Sequence, residues 1–246
     1  MKIYVDATAD AMGKRAADIV AEKILAAIAD HGECRMLLST GASQFEMFEH
    51  LTKKDLPWDK VTGFHLDEYE GMPESHPASF VKYLKERFVN LVHPKAFYFI
   101  DGMAGMEGLS SLTDALRALP IDIGLIGIGE NGHIAFNDPP ADFDSTEAFK
   151  IVEMDEKCRR QQMGEGWFAT LDDVPKKAIS MTVYQIMQCK SVLSVCGGTR
   201  KAEAVKKTLE APAVTNMVPA TKLKEHADWI LFLDEDSASL VDKAYL

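Results

Sequence analysis

The sequence has few positive charges, few cysteines and no long apolar run. Its 246 residues include 27 lysines and arginines against 38 aspartates and glutamates, which gives a formal net charge of −11. Nucleic-acid binding relies on clustered cations that contact phosphates, so this acidic balance predicts no nucleic-acid partner. A small anionic ligand needs only a few local donors and remains compatible with the composition. No apolar run approaches the about 20 residues that cross a bilayer, so we expect no membrane partner either.

The four cysteines occur without a C-x-x-C pair, so neither a zinc site nor a disulfide framework is expected. Cys34 and Cys196 lie in apolar runs, where a free cysteine behaves as a small core residue. The start of the chain, Met1–Val5, is short and strand-like and unlike a signal peptide. These features predict a cytoplasmic protein. His65 and Asp67 are close in sequence, but no third ligand lies nearby, and we predict no metal site.

Short buried strands alternate with amphipathic helices along almost the whole chain. Apolar residues between Thr8 and Ala29 recur at spacings of three and four, the pattern of a helix with one buried face. Cys34–Leu38, Ser191–Cys196 and Trp229–Leu233 are apolar runs of strand length. This alternation predicts an α/β fold with a doubly wound, mostly parallel, Rossmann-like sheet and helices on both faces. The length suits a single domain.

One stretch departs from the alternation. Between residues 141 and 173 the sequence is polar and irregular, with a short helix predicted at Glu156–Met163. The stretch nevertheless keeps several aromatic side chains, namely Phe143, Phe149, Trp167 and Phe168. A solvated linker would not need them, so we expect residues 141–173 to form a lid segment.

Four polar turns follow directly after predicted strands. They are Ser39–Ser43, Asp67–Tyr69, Gly127–Asp138 and Gly197–Lys201. In a parallel sheet the carboxyl ends of the strands lie along one edge, where α/β proteins bind ligands. The four turns are therefore expected to share one crevice.

Two of these turns lead into helices and have the composition of phosphate-binding loops. The first supplies small residues and hydroxyls where backbone N–H groups bind anions, at Thr40, Gly41, Ala42 and Ser43. Lys201 lies in the second, at a position suited to pairing with a phosphate. Each has a plainer interpretation, with Thr40 or Ser43 as an ordinary helix N-cap and Lys201 as a solvated lysine.

The turn at residues 127–138 carries a histidine that we expect to react. Gly127–Gly132 reads G-x-G-x-x-G, the pattern of a dinucleotide-binding loop, which must open a long helix. Only six residues separate Gly132 from Pro139, and proline ends a helix, so we expect no dinucleotide cofactor. The glycines would instead form a tight turn that presents His133, the side-chain type best suited to proton transfer near neutral pH. A purely structural role for the glycines stays open.

The expected crevice would thus combine phosphate binding with proton transfer. Asp67 and Glu68 contribute two adjacent acids at a strand end, His133 has Asp138 nearby, and Lys201 adds a cation. Adjacent acids are often only solvated surface charge, but their position at a strand end favours a functional role. A sugar phosphate is the simplest ligand that needs both kinds of chemistry.

The motifs resemble those of the glucosamine-6-phosphate deaminase (isomerase) family, sister to the 6-phosphogluconolactonases. The matching segments are STGAS at 39–43, LDEYEGMPESHPASF at 66–80, GIGENGHIAFNDP at 127–139 and GGTRKAEAV at 197–205. The resemblance spans nearly the whole chain, and its GHIAFN run favours deaminase over lactonase. It implies an aldose–ketose isomerisation of a hexosamine 6-phosphate coupled to loss of ammonia, with no cofactor and no metal.

Site residues follow from this resemblance by matching motif positions. Asp67 would move a proton from C2 to C1, and His133 would assist opening of the sugar ring. Asp138 would orient the histidine, together with Asn131. The predicted substrate- and phosphate-binding residues are Thr40, Gly41, Ala42, Ser43, Glu68, Gly132 and Lys201.

The chain departs from the family pattern at three places. Asn131 replaces the usual aspartate, as in a galactosamine-6-phosphate deaminase branch, and Asp138 replaces a glutamate. The choice between glucosamine and galactosamine epimers is therefore open. The family's phosphate-binding arginine has no clean match, and Arg159, Arg160 or Gln162 are the candidates.

The sequence leaves open two alternative functions and whether the chain self-associates. A lactonase-like hydrolase would use His133 to activate water, and a non-catalytic sugar-phosphate-binding protein would use only the crevice. Self-association into a homo-oligomer also stays open.

Overall fold

Ten strands and nine α-helices alternate along the chain in a computed structural model, which describes residues 1–246. The strands are β1 Lys2–Asp6, β2 Cys34–Leu38, β3 Val61–His65, β4 Asp67–Tyr69, β5 Ala96–Tyr98, β6 Ile123–Leu125, β7 Phe149–Glu153, β8 Lys177–Met181, β9 Ser191–Cys196 and β10 Trp229–Asp234. The α-helices are α1 Ala9–His31, α2 Phe45–Leu51, α3 Phe80–Leu84, α4 Asn90–Val92, α5 Ser110–Arg117, α6 Glu156–Gly164, α7 Val183–Ile186, α8 Ala202–Glu210 and α9 Glu235–Ala238. A π-turn, Lys85–Val89, joins α3 to α4. Short 3-10 helices are Ala42–Gln44, Trp58–Lys60, Gly105–Leu109, Leu171–Asp173, Thr199–Lys201, Pro219–Glu225 and Lys243–Tyr245.

Seven of the strands form one parallel sheet, in the order β1-β10-β9-β6-β2-β3-β5. From β6 the chain order runs outward through β2, β3 and β5 on one side and through β9 and β10 on the other, where the first strand, β1, forms the edge. Ligand sites in such sheets lie beyond the strand ends where the order reverses. The predicted mostly parallel α/β fold is confirmed.

Helices cover both faces of this sheet because side chains alternate along each strand. Leu37 of β2 packs into one core, whereas its neighbours Met36 and Leu38 pack into the other. The Met36 core is closed by α1, α2 and the helices over residues 80–92, and the Leu37 core by α5, α7 and α8. Each fully buried side chain of this size contributes about 1.5–3 kcal/mol.

The sequence marks the ends of the long helix α1 clearly. The Thr8 side chain accepts a hydrogen bond from the Ala11 N–H at 3.2 Å, which caps the amino terminus. Gly32 ends the helix in a left-handed conformation with φ of 89°. None of the helices is long and apolar enough to cross a membrane.

A second sheet of three antiparallel strands, β4-β8-β7, stands beside the first. The irregular chain expected around β7 is instead a strand, of which only Phe149 is buried, and pairing with β8 holds it. Strand β8 is the central strand of this sheet, and its partners are β4 and β7. This small sheet packs on an aromatic cluster that includes Tyr69, Phe136 and Phe168.

Candidate active site

A cavity of about 240 Å³ opens at the carboxyl edge of the seven-stranded sheet. Its lining includes most of the predicted site residues, namely Thr40, Gly41, Ala42, Ser43, Asp67, His133 and Lys201. The predicted residues Glu68, Asn131, Gly132 and Asp138 are not part of the lining. All four polar turns therefore reach one place, as expected from the parallel sheet.

The turn after β2 forms one wall of the cavity. Gly41 adopts φ of 112°, which only glycine tolerates easily, and the chain then enters the 3-10 helix that precedes α2. Gln44 fixes the turn to β9 through a hydrogen bond from its Nε2 to the Val195 carbonyl, at 3.2 Å. The Ser39 hydroxyl is buried, lines the cavity and has no hydrogen-bond partner in the protein, so it is free for a ligand. Sequence reasoning placed Ser39 in the turn but not among the binding residues.

The turn after β9 forms the facing wall. Gly198 has φ of 87°, and its N–H donates to both carboxylate oxygens of Asp234, at 3.0 and 2.9 Å. Lys201 donates from Nζ to the Ile128 carbonyl at 2.8 Å, which holds its ammonium group beside the cavity. Arg200 also lines the cavity and pairs with Glu130 at 2.7 Å. The sequence prediction missed Arg200, although it directly precedes Lys201 in the same turn.

Asp67 lies at the start of β4, where the small sheet faces the cavity. Its pairing with Ser180 of β8 places it there, and only 6% of the residue is exposed. Burial, together with the neighbouring charge of Glu68, raises the pKa of Asp67 to about 8. A carboxyl group with such a pKa can both take and return a proton near neutral pH.

Glu68 has a different position from the one predicted. It is fully buried, and its carboxylate accepts hydrogen bonds from the Ser79 hydroxyl at 2.9 Å and the Val81 N–H at 3.0 Å. A third bond comes from the Tyr69 N–H at 2.9 Å. Burial raises the pKa of Glu68 despite these bonds. Because neighbouring side chains of a strand face opposite ways, Glu68 anchors the start of α3 while Asp67 faces the cavity. Glu68, which was predicted to bind the substrate, therefore does not line the cavity.

The glycine-rich loop after β6 holds the histidine by close packing. Gly129 donates its N–H to the His133 carbonyl at 2.9 Å, and a Cβ at Gly129 would overlap the imidazole ring. Gly132 has φ of 88°, and a Cβ there would come within 2.9 Å of Val218. Gly132 therefore shapes the loop rather than lining the cavity. No dinucleotide-binding helix follows these glycines.

His133 is backed by two polar side chains. Its Nδ1 lies 3.0 Å from Oδ1 of Asp138, although the ring N–H is not aligned as a hydrogen bond along that line. The Asn131 amide donates to the same Asp138 oxygen at 2.9 Å, and its own oxygen accepts from the His133 N–H at 3.0 Å. Burial raises the pKa of Asp138, but the nearby His133 and the hydrogen bonds from the Asn131 amide and the Asp155 N–H outweigh burial, so the pKa is lowered. Asp138 is therefore a carboxylate that faces the ring, which leaves Nε2 for a ligand.

Comparison with known proteins agrees with this geometry. Residues 7–232 match the family described as glucosamine-6-phosphate isomerases and 6-phosphogluconolactonases. The chain belongs to this family.

Members of the family differ in how closely they resemble the chain. A glucosamine-6-phosphate deaminase of Exiguobacterium sibiricum is 40% identical over 207 residues, which cover 83% of this chain and 80% of that protein. The structure of a monomeric glucosamine-6-phosphate deaminase superposes with a TM-score of 0.87 at 30% identity, covering 98% of this chain and 100% of the other. A 6-phosphogluconolactonase from Thermotoga maritima shares the fold, with a TM-score of 0.78 at 14% identity over 95% of this chain and 99% of the other.

The candidates for the family's phosphate-binding arginine do not reach the cavity as guanidinium groups. Arg159 donates to the Val174 carbonyl at 3.1 Å, and Arg160 pairs with Glu156 on the surface of α6. Neither lines the cavity, whereas Gln162 does. The Gln162 side-chain oxygen accepts a hydrogen bond from the Tyr69 hydroxyl at 2.7 Å.

One cluster near the histidine has the composition of a metal site. Donor atoms of His133, Asp138 and Cys158 lie within 4.8 Å of one another. Burial raises the pKa of the Cys158 thiol well above its usual range, and the charge of Asp138 raises it further. Zinc binds cysteine as a thiolate, so binding here would require this buried thiol to release its proton. His65 is fully buried, and burial lowers its pKa to about 3; it does not line the cavity with Asp67.

Proposed function

We propose that the chain is a hexosamine-6-phosphate deaminase, which converts the amino sugar phosphate to a ketose 6-phosphate and ammonia. One observation carries the proposal: two proton carriers, Asp67 and His133, line the same small cavity as a two-walled anion-binding site. The deaminase names of the relatives described above support the same reaction.

The phosphate would lie between the turns after β2 and β9. Backbone N–H groups at the starts of α2 and α8 favour an anion there, and the hydroxyls of Thr40 and Ser43 add donors. Lys201 and Arg200 supply positive charge beside these turns. Arg200 would bind the phosphate in place of Arg159 and Arg160, which do not line the cavity. Its guanidinium group suits a phosphate.

His133 would open the sugar ring. Opening a cyclic hemiacetal removes the proton of the C1 hydroxyl and delivers a proton to the ring oxygen. Nε2 of the imidazole would give that proton and then take up the proton released by the C1 hydroxyl, while the Asp138 carboxylate at Nδ1 stabilises the ring when it is protonated. The product is the open-chain amino aldehyde.

Asp67 would then carry a proton from C2 to C1. Removing the C2 proton gives an enolamine, and returning it to C1 gives an iminium at C2, to which water adds as ammonia leaves. The raised pKa of Asp67 suits the return step, and an ammonium group at C2 would favour the carboxylate for the first step. A single carboxylate thus serves both transfers between adjacent carbons.

A lactonase reaction leaves part of the site without a role. Lactone hydrolysis needs a base for water, which His133 provides, but no carbon acid–base group at Asp67. The buried, cavity-facing position of Asp67 therefore favours the deaminase.

Three further features stay proposals. Residues 141–173 would act as a lid, since Gln161, Gln162 and Glu165 of that segment line the cavity. The four cysteines are free and buried, which suits a reducing compartment, and we place the reaction in the cytoplasm. The third feature is self-association into a homo-oligomer, which is tested by measuring the mass of the chain in solution by sedimentation.

The deciding experiment is ammonia release from glucosamine 6-phosphate and galactosamine 6-phosphate, in separate assays, with His133→Gln as the control. Release from either sugar, reduced about 100-fold in the variant, supports the proposal and identifies the epimer. A folded protein that releases ammonia from neither sugar and hydrolyses 6-phosphogluconolactone would overturn it.

A further inference from the structure

A second carboxylate, outside the cavity, is tied to the histidine by the amide of Asn131. The Nδ2 group donates to Asp138 at 2.9 Å and to Oδ2 of Asp155 at 3.1 Å. The orientation of this amide follows from its partners, because its oxygen accepts the His133 N–H and only the nitrogen side meets the two carboxylates. Both amide hydrogens are thus used on acids.

Asp155 closes a ring of contacts with the other two side chains. Its backbone N–H donates to Oδ2 of Asp138 at 2.9 Å. Its Oδ1 accepts the Cys158 N–H at 2.6 Å and so caps the amino terminus of α6. Asp138 is therefore held on one oxygen by Asn131 and on the other by Asp155. The carboxylate that faces His133 has no freedom to turn unless Asp155 moves.

The same contacts link the histidine loop to α6. The Gln161 side-chain oxygen accepts the Glu130 N–H at 2.8 Å, one helical turn and a half beyond Asp155. Gln161 also lines the cavity. The helix that lines the cavity and the loop that carries His133 are thus joined at two points, and Asp155 is the point nearer to the histidine.

We propose that Asp155 is a positioning residue for His133, acting through Asn131 and Asp138; its role in turnover rests on the proposed deaminase function. The contact with Asp155 requires an amide at position 131, because an aspartate there would remove both hydrogen-bond donors. It would also place a third negative charge between two carboxylates. The amide at this position is what allows Asp138 and Asp155 to approach the same point.

The test must separate positioning from helix capping. Serine caps helices about as well as aspartate but lacks a second oxygen for Asn131. Asp155→Ser is therefore expected to keep the thermal midpoint within a few degrees, to lower kcat about tenfold and to change KM less than twofold. Thr8→Ala removes the cap of α1 at a residue that does not line the cavity, and it is the matched control that should keep kcat. If Asp155→Ser keeps full kcat, capping is the only role of Asp155 and the proposal fails.

A double-mutant cycle tests the matching of Asn131 to Asp155. Asn131→Asp should reduce kcat at least threefold more in the wild-type chain than in the Asp155→Ser background, where one opposing charge is gone. Equal reductions in the two backgrounds would overturn the matching.

A readout without turnover keeps this inference distinct from the proposed function. The ring ¹⁵N signals of His133, assigned with His133→Gln, should shift in Asp155→Ser and stay unchanged in Thr8→Ala. A chain that releases no ammonia but shows this shift would refute the deaminase and support the positioning role in the free protein. An unchanged His133 signal in Asp155→Ser would overturn the positioning role, whatever the activity.

Discussion

The two sheets contribute differently to the cavity. The seven-stranded parallel sheet supplies its two anion-binding walls from the turns after β2 and β9. The three-stranded antiparallel sheet supplies Asp67, and it also fixes the histidine loop, since Asn137 donates to the Ser180 hydroxyl at 3.3 Å and to the Met181 carbonyl at 2.8 Å. The turns after β2 and β9 would then bind the substrate, whereas Asp67 of the small sheet and the histidine loop that the small sheet fixes would transfer protons. Changes beside the large sheet should then raise KM, and changes beside the small sheet should lower kcat.

Asp67→Asn should give the largest effect. An amide of nearly the same shape leaves the cavity walls intact but accepts no proton from C2, so kcat should fall at least about 1,000-fold with KM changed less than about threefold. Exchange of the C2 hydrogen with deuterated solvent, followed by NMR, checks the step directly. Full turnover in this variant would show that another group is the base.

Gly129→Ala tests whether the position of the His133 ring controls kcat. The added methyl group would overlap the imidazole and displace it, so kcat should fall about 10- to 100-fold. Gly127→Ala is the matched change in the same loop, because its Cβ would meet only the Ser39 hydroxyl at 3.7 Å and the Gln44 amide at 3.8 Å. Steady-state kinetics of both variants should show the larger loss at position 129. Equal losses would mean that the loop, rather than the ring position, is sensitive.

Lys201→Met tests the proposed phosphate binding by the turns after β2 and β9. The loss of the ammonium group beside both turns should raise KM about tenfold and leave kcat within about threefold. Lys207→Met changes an exposed lysine of the same helix, 3.6 Å from Glu203, and should leave KM unchanged. A fall in kcat without a change in KM at position 201 would contradict the division between the sheets.

Arg200→Gln should have a smaller effect of the same kind. Its side chain is 52% exposed and already paired with Glu130, so the expected rise in KM is only about three- to fivefold. Arg200→Lys should recover part of the affinity, and competition by inorganic phosphate measures it without catalysis. If Arg200→Gln bound phosphate as well as the wild-type chain, Arg200 would have no part in the anion site.

The last effect is on stability rather than on kinetics, and it depends on pH. Asp67 has a folded pKa of about 8 against about 3.9 for an unfolded aspartate, so the unfolded chain releases this proton first. Between these two values the Asp67 contribution makes the fold less stable as the pH rises, and above about pH 8 it changes no further. Asp67→Asn should therefore increase stability by roughly 1–3 kcal/mol more at pH 8.5 than at pH 5. Urea unfolding at both pH values measures the difference. An equal increase at both would mean that Asp67 ionises normally in the fold.

How well the sequence predicts each sheet depends on how far apart in sequence the contacting residues lie. The turns at Thr40–Ser43 and Gly197–Lys201 could be found from local patterns, because a parallel sheet gathers its strand ends without further information. Strand β7 could not, since its alternation of polar and apolar residues is short and its partner β8 lies more than twenty residues away. Glu68 was misplaced for the same reason, because only the pairing of β4 decides which of two adjacent acids faces the cavity.

The sequence by itself determined the α/β class, the four polar turns and the candidates for the reacting side chains. It did so because helix and strand periodicity, glycine turns and proline breaks are local properties of the chain. Only the tertiary structure decided that Asp67 is buried enough to change its pKa, that Arg200 rather than Arg159 or Arg160 lines the cavity, and that Asn131 joins two carboxylates. Burial and long-range hydrogen bonds create these properties, and they exist only once residues far apart in sequence are packed together.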